Sequence, residues 1–196
     1  IASVSRMKIS TRREGDAHGW SLSLEGGKGE EIVPATMLQG TRIEVRDLFY
    51  TTPARLNFLK SDRTESAAVA EVMRKFAMVH SGVSFKLTTG GKTVLNVAAA
   101  ASAQARIADV MGREFADNSL ALSHERGTLQ LSGFASLPTY NVGNSASQYL
   151  FVNGRQVRDK LLLGVVKAAY QDVLAHDRYA VVVLFVQLPA VEVDVN

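Results

Sequence analysis

Hydrophobic and polar residues alternate along the first fifty positions of the chain. Met7 and Ile9 open the pattern, and after a polar stretch at 11–19 the residues Trp20 and Leu22 alternate with serines. A period of two residues is typical of a strand with one buried face. We therefore predict that this region is rich in strands, with a turn-like break at 11–19.

A change of period predicts the first long helix, over residues 61–80. Asp62 is followed three residues later by Glu65, which is the spacing of a capping box with aspartate as the N-cap. Gly82 then ends the helical pattern. The residues that share one face of this helix are Val69, Val72, Met73, Phe76 and His80.

Strands and helices mix along the rest of the chain. The predicted elements are a hairpin over 83–97, a helix over 102–111, strands near 128–135 and 147–152, a hairpin turn at Asn153-Gly154, a helix over 159–175 and a strand over 180–188. The last helix is expected to bury Leu162, Val165, Val166, Ala169 and Val173. Because the elements do not alternate strictly as βαβ, the predicted class is α+β. The boundary falls near 80–83, which gives domains 1–82 and 83–196.

Composition excludes several kinds of site and leaves an anionic partner open. The 196 residues include no cysteine, which rules out thiolate chemistry and disulfides, and the 4 histidines show no ligand spacing, so no metal site is expected. No apolar run approaches the roughly 20 residues that a membrane helix needs. A net charge of +3 permits nucleic-acid binding without requiring it. The chain begins as if in mid-strand and without methionine, which predicts a piece of a longer protein.

The block GTRIEVRDLFYTTPARLNFLK at 40–60 is the most informative stretch of the sequence. Gly40 and Thr41 alone form a weak motif, since a turn glycine before a strand explains them equally well. In a nucleotide site, such a glycine lets backbone approach the ligand, and the threonine hydroxyl hydrogen-bonds near it. Arg55 and Lys60 follow, either as solvated charges or as contacts to phosphates.

A second block, FVNGRQVRDKLL at 151–162, gathers three bases where a helix begins. Arg155, Arg158 and Lys160 are unfavourable there, because a helix N-terminus disfavours cations. That cost favours a role in binding phosphate. The alternative is that the bases form ion pairs with Asp159 and Asp172.

These blocks, in this order, resemble the MutL family of DNA mismatch-repair ATPases. The first is similar to the family's GT…VEV.DLF.NTPAR.KFL signature, the second to another of its segments, and VEVDVN at 191–196 to the start of its VDVNVHPxK motif. The resemblance implies that 1–82 is the end of a GHKL ATPase sandwich. Residues 83–196 would then be a transducer-like domain similar to the ribosomal-protein second-domain fold.

The same resemblance implies roles for individual residues. Gly40 and Thr41 would line the adenine end of an ATP site that also uses magnesium. Lys160 stands where the family carries the second base of an RDR triplet, in a groove used for DNA. Lysine keeps the charge there but loses the planar fork of arginine, so contact with the DNA backbone is expected and a role that needs the geometry of arginine is not. Arg55, Lys60, Arg155 and Arg158 complete the expected DNA contacts.

Four family parts are missing from the 196 residues: the glutamate that activates water, the asparagine that holds magnesium, the aspartate of a DxGxG-type loop and the GFRGEAL-like lid. Phosphoryl transfer depends on such positioning and charge stabilisation, so we expect the chain alone not to hydrolyse ATP. The resemblance implies that the whole protein is cytoplasmic and forms a homodimer on binding ATP. Its expected partners are DNA, a MutS-type mismatch sensor, an endonuclease and a helicase.

Two other classes of protein stay open at this point. A topoisomerase-like GHKL enzyme would need a downstream domain with a DNA-cleaving tyrosine, and the LFYTTPAR block argues against it. A nucleic-acid-binding module without ATP chemistry would use only the basic residues of the second block. The salt dependence of DNA affinity distinguishes that module from a protein without phosphate contacts.

Overall fold

The computed structural model describes residues 1–193 and divides the chain into two compact units. Unit 1 is Ile1–Glu65, and unit 2 begins at Ser66. The observed division therefore precedes the predicted boundary at 82/83. The reason is that the long helix beginning at Asp62 packs its buried side chains, Ala77 and Met78, into hydrophobic clusters formed by residues of unit 2.

Unit 1 is built on a five-stranded antiparallel sheet. Strand β1 lies between β2 and β5, with Met7 opposite both Leu24 and Val45, while β3 and β4 both pair with β2. A short helix, α1, follows the sheet. The bounds are β1 Arg6–Arg12, β2 Gly19–Glu25, β3 Lys28–Gly29, β4 Val33–Ala35, β5 Gly40–Arg46 and α1 Pro53–Leu56. The predicted strand-rich character is present, although β1 extends to Arg12, into the stretch predicted as a break.

Unit 2 contains the remaining elements and begins within helix α2. These are α2 Asp62–Val79, β6 Phe85–Thr89, β7 Lys92–Val97, α3 Ala103–Met111, α4 Arg113–Asp117, β8 Ser119–Arg126, β9 Leu129–Ser136, β10 Asn141–Val142, β11 Gln148–Val152, β12 Arg155–Val157, α5 Lys160–Ala169, β13 Tyr179–Ala180 and β14 Val182–Gln187. The mixture of strands and helices fits the predicted α+β class.

The main sheet of unit 2 has the strand order β12-β11-β14-β9-β8. Strands β11 and β12 form the predicted hairpin at Asn153-Gly154, where Asn153 has a φ of 48° and Gly154 a φ of 76°. Strands β11 and β14 are parallel, with Leu150 opposite Leu184, and α5 lies between them in the chain. A parallel pair requires such a crossover.

Two hydrophobic clusters cover the two faces of this sheet. Successive residues of β11 alternate between them, because side chains of a strand point to opposite faces. Phe151 packs with Phe115 and Met78, from the α4 and α2 helices. Leu150 packs on the other side with Val166 from α5. The sheet is therefore enclosed by helices on both faces.

Helix α2 confirms the predicted helix, and most of its buried residues lie off the apolar face that the periodicity indicated. Its buried residues are Ala70, Ala77 and Met78, whereas Val72 and Phe76 are 50% and 52% exposed. The packed face carries Ala77, Met78 and Met73, which contact the hydrophobic clusters of unit 2.

The N-terminus of α2 also differs from the prediction. The helix begins at Asp62, so the capping position belongs to Ser61, whose Oγ accepts a hydrogen bond from the Thr64 N–H at 3.4 Å. Glu65 accepts a hydrogen bond from the Lys60 N–H at 2.9 Å. Glu65 therefore accepts a backbone hydrogen bond at this end of the helix, but from Lys60 and not from the predicted N-cap, Asp62.

An arginine lies at the centre of the contact between α3 and the β6–β7 hairpin. Arg106 is fully buried, and its Nη2 donates to the carbonyls of Ser81, Val83 and Ala98 at 2.7, 2.6 and 2.8 Å. Its guanidinium also lies 5.7 Å from the ring centroid of Phe85. The side chain thus joins the loop before β6 to the loop after β7.

Helix α5 is shorter than predicted and buries fewer residues. It ends at Ala169, and three of the residues predicted to be buried, Val165, Ala169 and Val173, are exposed. Beyond it, the Tyr170 hydroxyl donates to the Ser136 carbonyl at 2.6 Å. The helix therefore ends directly before Tyr170, whereas the hydrophobic periodicity predicted a helix that continues to residue 175.

Candidate functional site

The predicted nucleotide pair, Gly40 and Thr41, opens the edge strand β5 of unit 1. Thr41 lies opposite Thr11 of β1, and their hydroxyl oxygens are 2.9 Å apart. The Thr11 hydroxyl also contacts the Gly40 carbonyl at 3.4 Å. Thr11 was missed from the sequence because it was assigned to the polar break. The pair of hydroxyls forms a small polar patch at the end of the sheet.

Gly40 has both a conformation and a surrounding space that fit close approach by a ligand. Its φ of 127° is one that residues with a side chain rarely adopt, and a Cβ built there would have no atom within 4 Å. Opposite it in the register, Arg12 donates to the carbonyls of Asp16 and Met37 at 3.0 and 3.1 Å. Gly40 therefore borders open space, next to polar segments that the hydrogen bonds of Arg12 hold in place.

The loop after β5 is strained at two residues that are not glycine. Asp47 and Phe49 have φ values of 49° and 70°, which cost free energy for side chains of this kind. The loop is held to the N-terminal segment, since the Phe49 N–H donates to the Val4 carbonyl at 2.6 Å. Arg6 bonds Asp47 at 2.8 Å and Glu25 at 2.8 Å. The conspicuous DLFYTTPAR motif thus coincides with an unusual backbone.

Arg55 and Lys60 lie beyond this loop in unit 1. Arg55 belongs to α1, whose first residue is Pro53, and its guanidinium lies 6.0 Å from the ring centroid of Phe49. Neither base forms an ion pair with any residue of the described range 1–193. Both are exposed and can reach an anion in solution.

The second basic group lies in unit 2 at the junction of β12 and α5. Arg155 begins β12, and Lys160 is the first residue of α5. Between them, Asp159 caps the helix, with its Oδ1 accepting from the Leu162 N–H at 2.9 Å. Among residues 1–193, no ion pair joins Arg155, Arg158 or Lys160 to Asp159 or Asp172. The ion-pair alternative is therefore not what the structure shows.

The candidate residues form two sets, one in each compact unit. Gly40, Thr41, Arg55 and Lys60 belong to unit 1, and the three bases of the second block belong to unit 2. Within the described part of the chain, no cluster of three or more His, Asp or Glu residues is arranged to hold a metal ion. None of the described helices is long and apolar enough to cross a membrane. The third sequence block lies partly outside the described residues, which end before Asp194.

Relatives of the chain are found along its whole length. It is 53% identical to the DNA mismatch repair protein MutL of Paramagnetospirillum magneticum and 50% identical to that of Rhodospirillum rubrum. Each alignment covers 100% of this chain, but only 33% and 32% of the relative. The chain thus spans about a third of the length of the curated relatives it matches. Residues 107–196 match the family model described as the C-terminal domain of DNA mismatch repair protein.

Solved structures agree with these relatives. The ATPase domain of Aquifex aeolicus MutL has a TM-score of 0.78 and 27% identity, covering 100% of this chain and 71% of that chain. The same domain complexed with ADP has a TM-score of 0.76 and 29% identity, covering 96% of this chain and 70% of that chain. The predicted fold class, α+β and related to GHKL ATPase domains, is confirmed.

A more distant structure shares the fold alone. The B-subunit of DNA gyrase from Myxococcus xanthus has a TM-score of 0.60 and 10% identity, covering 98% of this chain and 60% of that chain. Both compact units lie within the range that these structures cover.

Proposed function

Because the chain belongs to the MutL family of DNA mismatch repair proteins, we propose that it carries part of an ATP site and part of a DNA-contact surface. The observation that carries this proposal is the open, polar end of strand β5 at Gly40 and Thr41. The fold that contains this strand is shared with a MutL ATPase domain that was solved with ADP. The two sites lie in different units of the chain.

The nucleotide part of the proposal rests on local geometry. Gly40 offers backbone to a ligand without a side chain in the way, and the paired hydroxyls of Thr41 and Thr11 offer donors and acceptors beside it. An adenine edge presents both donors and acceptors, so this patch fits one side of the base. Thr41 would orient the base, and Gly40 would allow its close approach.

Hydrolysis needs groups beyond this patch. ATP with magnesium supplies the phosphoryl group and the charge neutralisation that the reaction requires. The sequence lacks the family's catalytic glutamate, magnesium-binding asparagine, DxGxG-type aspartate and lid. We therefore expect the chain alone not to turn over ATP. Its own contribution is to position the adenine end of the nucleotide.

The DNA part of the proposal rests on bases that have no partner within the described range. Arg155, Arg158 and Lys160 follow one another at the junction of β12 and α5 without forming ion pairs there. Such bases bind phosphates and release counterions, which makes the affinity depend on salt. Arg55 and Lys60 are weaker candidates for the same role, because they belong to the other unit.

Activities of the whole protein extend this proposal. In the whole protein, ATP binding would close a homodimer and change its affinity for DNA and for repair partners. The partners would be a MutS-type mismatch sensor, an endonuclease and a helicase, and the location would be the cytoplasm. Coupling of this kind needs an element with two states that the nucleotide biases.

A chimaera tests the nucleotide assignment. This chain would replace the matching third of the Paramagnetospirillum magneticum relative, in a strain of that bacterium without its own copy. We expect the chimaera to hydrolyse ATP and to lower the mutation frequency, and we expect Gly40→Val to abolish both effects. Gly15→Val is the matched control, because Gly15 also has a positive φ, of 86°, and open space around it. Equal loss in both variants would refute the assignment.

A salt titration tests the DNA assignment and the module that lacks ATP chemistry. We expect Lys160→Glu to weaken binding of a labelled duplex at low salt. We also expect the slope of log affinity against log salt to become less steep by roughly 0.9 for each lost phosphate contact. Lys167→Glu, in the last turn of the same helix, should change neither. If the chimaera binds DNA without nucleotide, and if Gly40→Val lowers the mutation frequency as well as the unchanged chimaera does, then the nucleic-acid-binding module without ATP chemistry would be the correct interpretation.

A further inference from the structure

A groove runs between helix α2 and the β11–β12 hairpin in unit 2. Two adjoining cavities form it, with volumes of about 320 and 290 Å³. Lys75 of α2 and Gln156 of β12 line both cavities, so they mark the place where the two halves meet. Because the cavities share these residues, we treat them as one groove with two chemically different halves.

One half of the groove is apolar. Val72, Phe76 and Val79 line it from α2, and Phe151 forms its floor. Val72 and Phe76 are about half exposed although they lie on a helix whose other face is packed in unit 2. Apolar side chains in this position add little to the core of the unit. They form instead the kind of exposed patch that marks an interaction surface.

The groove also lies at the edge of the main sheet. Strand β12 is the last strand in the order, and on its outer side no further strand pairs with it among the described residues. A groove between an edge strand and a helix can accept an extended peptide, which adds to the strand while its side chains enter the groove. The shape therefore favours an extended segment.

The charges around the groove select the chemistry of that segment. Lys75, Arg155 and Arg158 line it, whereas the acidic residue that lines it, Glu71, is 3.7 Å from Lys75 and 3.6 Å from Arg74. Arg155 and Arg158 have no ion-pair partner within residues 1–193. The excess of positive charge is complementary to carboxylates. Lys75 and Arg155 border the apolar half, but its apolar lining of Val72, Phe76, Val79 and Phe151 offers no donor to a phosphate backbone.

We propose that this groove binds an extended segment of a partner protein that carries apolar side chains next to acidic ones. The apolar side chains occupy the space beside Val72 and Phe76, and the carboxylates face Arg155 and Arg158. This inference does not rest on the nucleotide site. It shares two bases with the proposed DNA surface, so its test depends on the apolar residues instead.

The test starts from a library of random ten-residue peptides displayed on phage and selected against the full chain. We expect the selected peptides to combine apolar and acidic residues. A fluorescent synthetic copy of the most enriched peptide should bind at least about tenfold more weakly to Phe76→Asp, which is 1.4 kcal/mol. Val69→Asp is the matched control, because Val69 is on the same helix and 48% exposed but does not line the groove.

Two further measurements keep the outcome decisive. Thermal unfolding of both variants separates lost binding from lost folding, and methyl NMR shifts of Val72 and Val79 on adding the peptide locate the site without any substitution. The proposal is overturned if no peptide is enriched over the Phe76→Asp chain, or if the peptide binds both variants equally. It is also overturned if Phe76→Asp weakens binding of single-stranded DNA as strongly, since the groove would then be a nucleic-acid surface.

Discussion

The two units of the chain bury very different kinds of residue. In unit 1 the buried positions are Ser5, Gly19 and Ser21, and none is a large hydrophobic residue. Unit 2 contains three clusters of buried hydrophobic residues, with Phe115 and Phe151 at most 1% exposed. Both units have a five-stranded sheet, so strand number does not explain the difference. What differs is whether helices cover the sheet.

This difference has a consequence for stability. Hydrophobic burial stabilises in proportion to the apolar area removed from water. Ile43 in the edge strand of unit 1 is 59% exposed, so its contribution is small. We infer that unit 2 is held by its own core, and that unit 1 depends mainly on strand pairing, because the ion pairs of Arg6 are exposed and exposed ion pairs contribute little. The proposed nucleotide patch lies in unit 1, the less buried unit.

The largest expected effect contrasts a core residue with an exposed one. Phe115→Ala should lower the free energy of unfolding by about 3–5 kcal/mol, because it leaves a cavity in a fully buried cluster. Ile43→Ala should lower it by about 1 kcal/mol or less. Urea unfolding followed by circular dichroism measures both. Similar losses for the two variants would mean that the units are equally well packed.

A second contrast uses two glycines with a similar backbone. Gly133 in β9 and Gly40 in β5 have φ values of 138° and 127°. A Cβ on Gly133 would overlap the Val183 carbonyl oxygen and lie 2.9 Å from the Leu184 Cα, whereas Gly40 has open space. Both alanine variants carry the strain of a positive φ. Gly133→Ala should therefore cost about 2 kcal/mol more, since overpacking adds to that strain.

Measured free energies of unfolding for the Gly133→Ala and Gly40→Ala variants test this contrast. If Gly40→Ala is as destabilising as Gly133→Ala, then the space beside Gly40 is not open in solution. That result would also weaken the nucleotide proposal, because the proposed close approach of a ligand needs this space.

A smaller effect concerns pH and the packing of unit 2. Burial raises the pKa of Tyr149 to about 12, and the Glu71 carboxylate adds to the shift. The unfolded chain loses the Tyr149 proton near pH 10, whereas the folded chain keeps it until the pH approaches 12. The contribution of this group to the free energy of unfolding is therefore fully present below pH 10 and is lost as the pH rises toward 12. Over this interval, the free energy of unfolding of the native chain should fall relative to that of Tyr149→Phe. Parallel pH profiles would contradict the burial of this hydroxyl.

The sequence predicted those parts of the fold that local patterns determine. The Asn153-Gly154 turn, the helix beginning near Asp62 and the strands of unit 1 follow from turn chemistry, period and alternation. The candidate nucleotide pair and the candidate bases of the second block remain predictions, and they rest on motif resemblance, which already contains information about relatives. Their geometry was not predicted, and Thr11, the partner of Thr41, was missed.

Parts that depend on tertiary packing could not be predicted in this way. Apolar residues of α2 occupy both packed and exposed positions, so choosing the buried ones needs knowledge of what packs against the helix. Strand β8 was missed because its exposed edge position allows polar residues such as His124 and Glu125. Arg106 is buried although its residue type indicates exposure. Two of its three carbonyl acceptors, Ser81 and Val83, lie 25 and 23 residues away in the sequence.

The central claim is that the proposed nucleotide site lies in unit 1 and the proposed DNA surface in unit 2. The most direct test is whether each can be disrupted without affecting the other. In the chimaera, affinity for an ATP analogue and affinity for a DNA duplex without nucleotide would be measured for Gly40→Val and Lys160→Glu. The account predicts that Gly40→Val loses at least about tenfold in nucleotide affinity and keeps its DNA affinity, with the reverse for Lys160→Glu. If either variant lowers both affinities equally, or if neither lowers the affinity assigned to it, the account is contradicted.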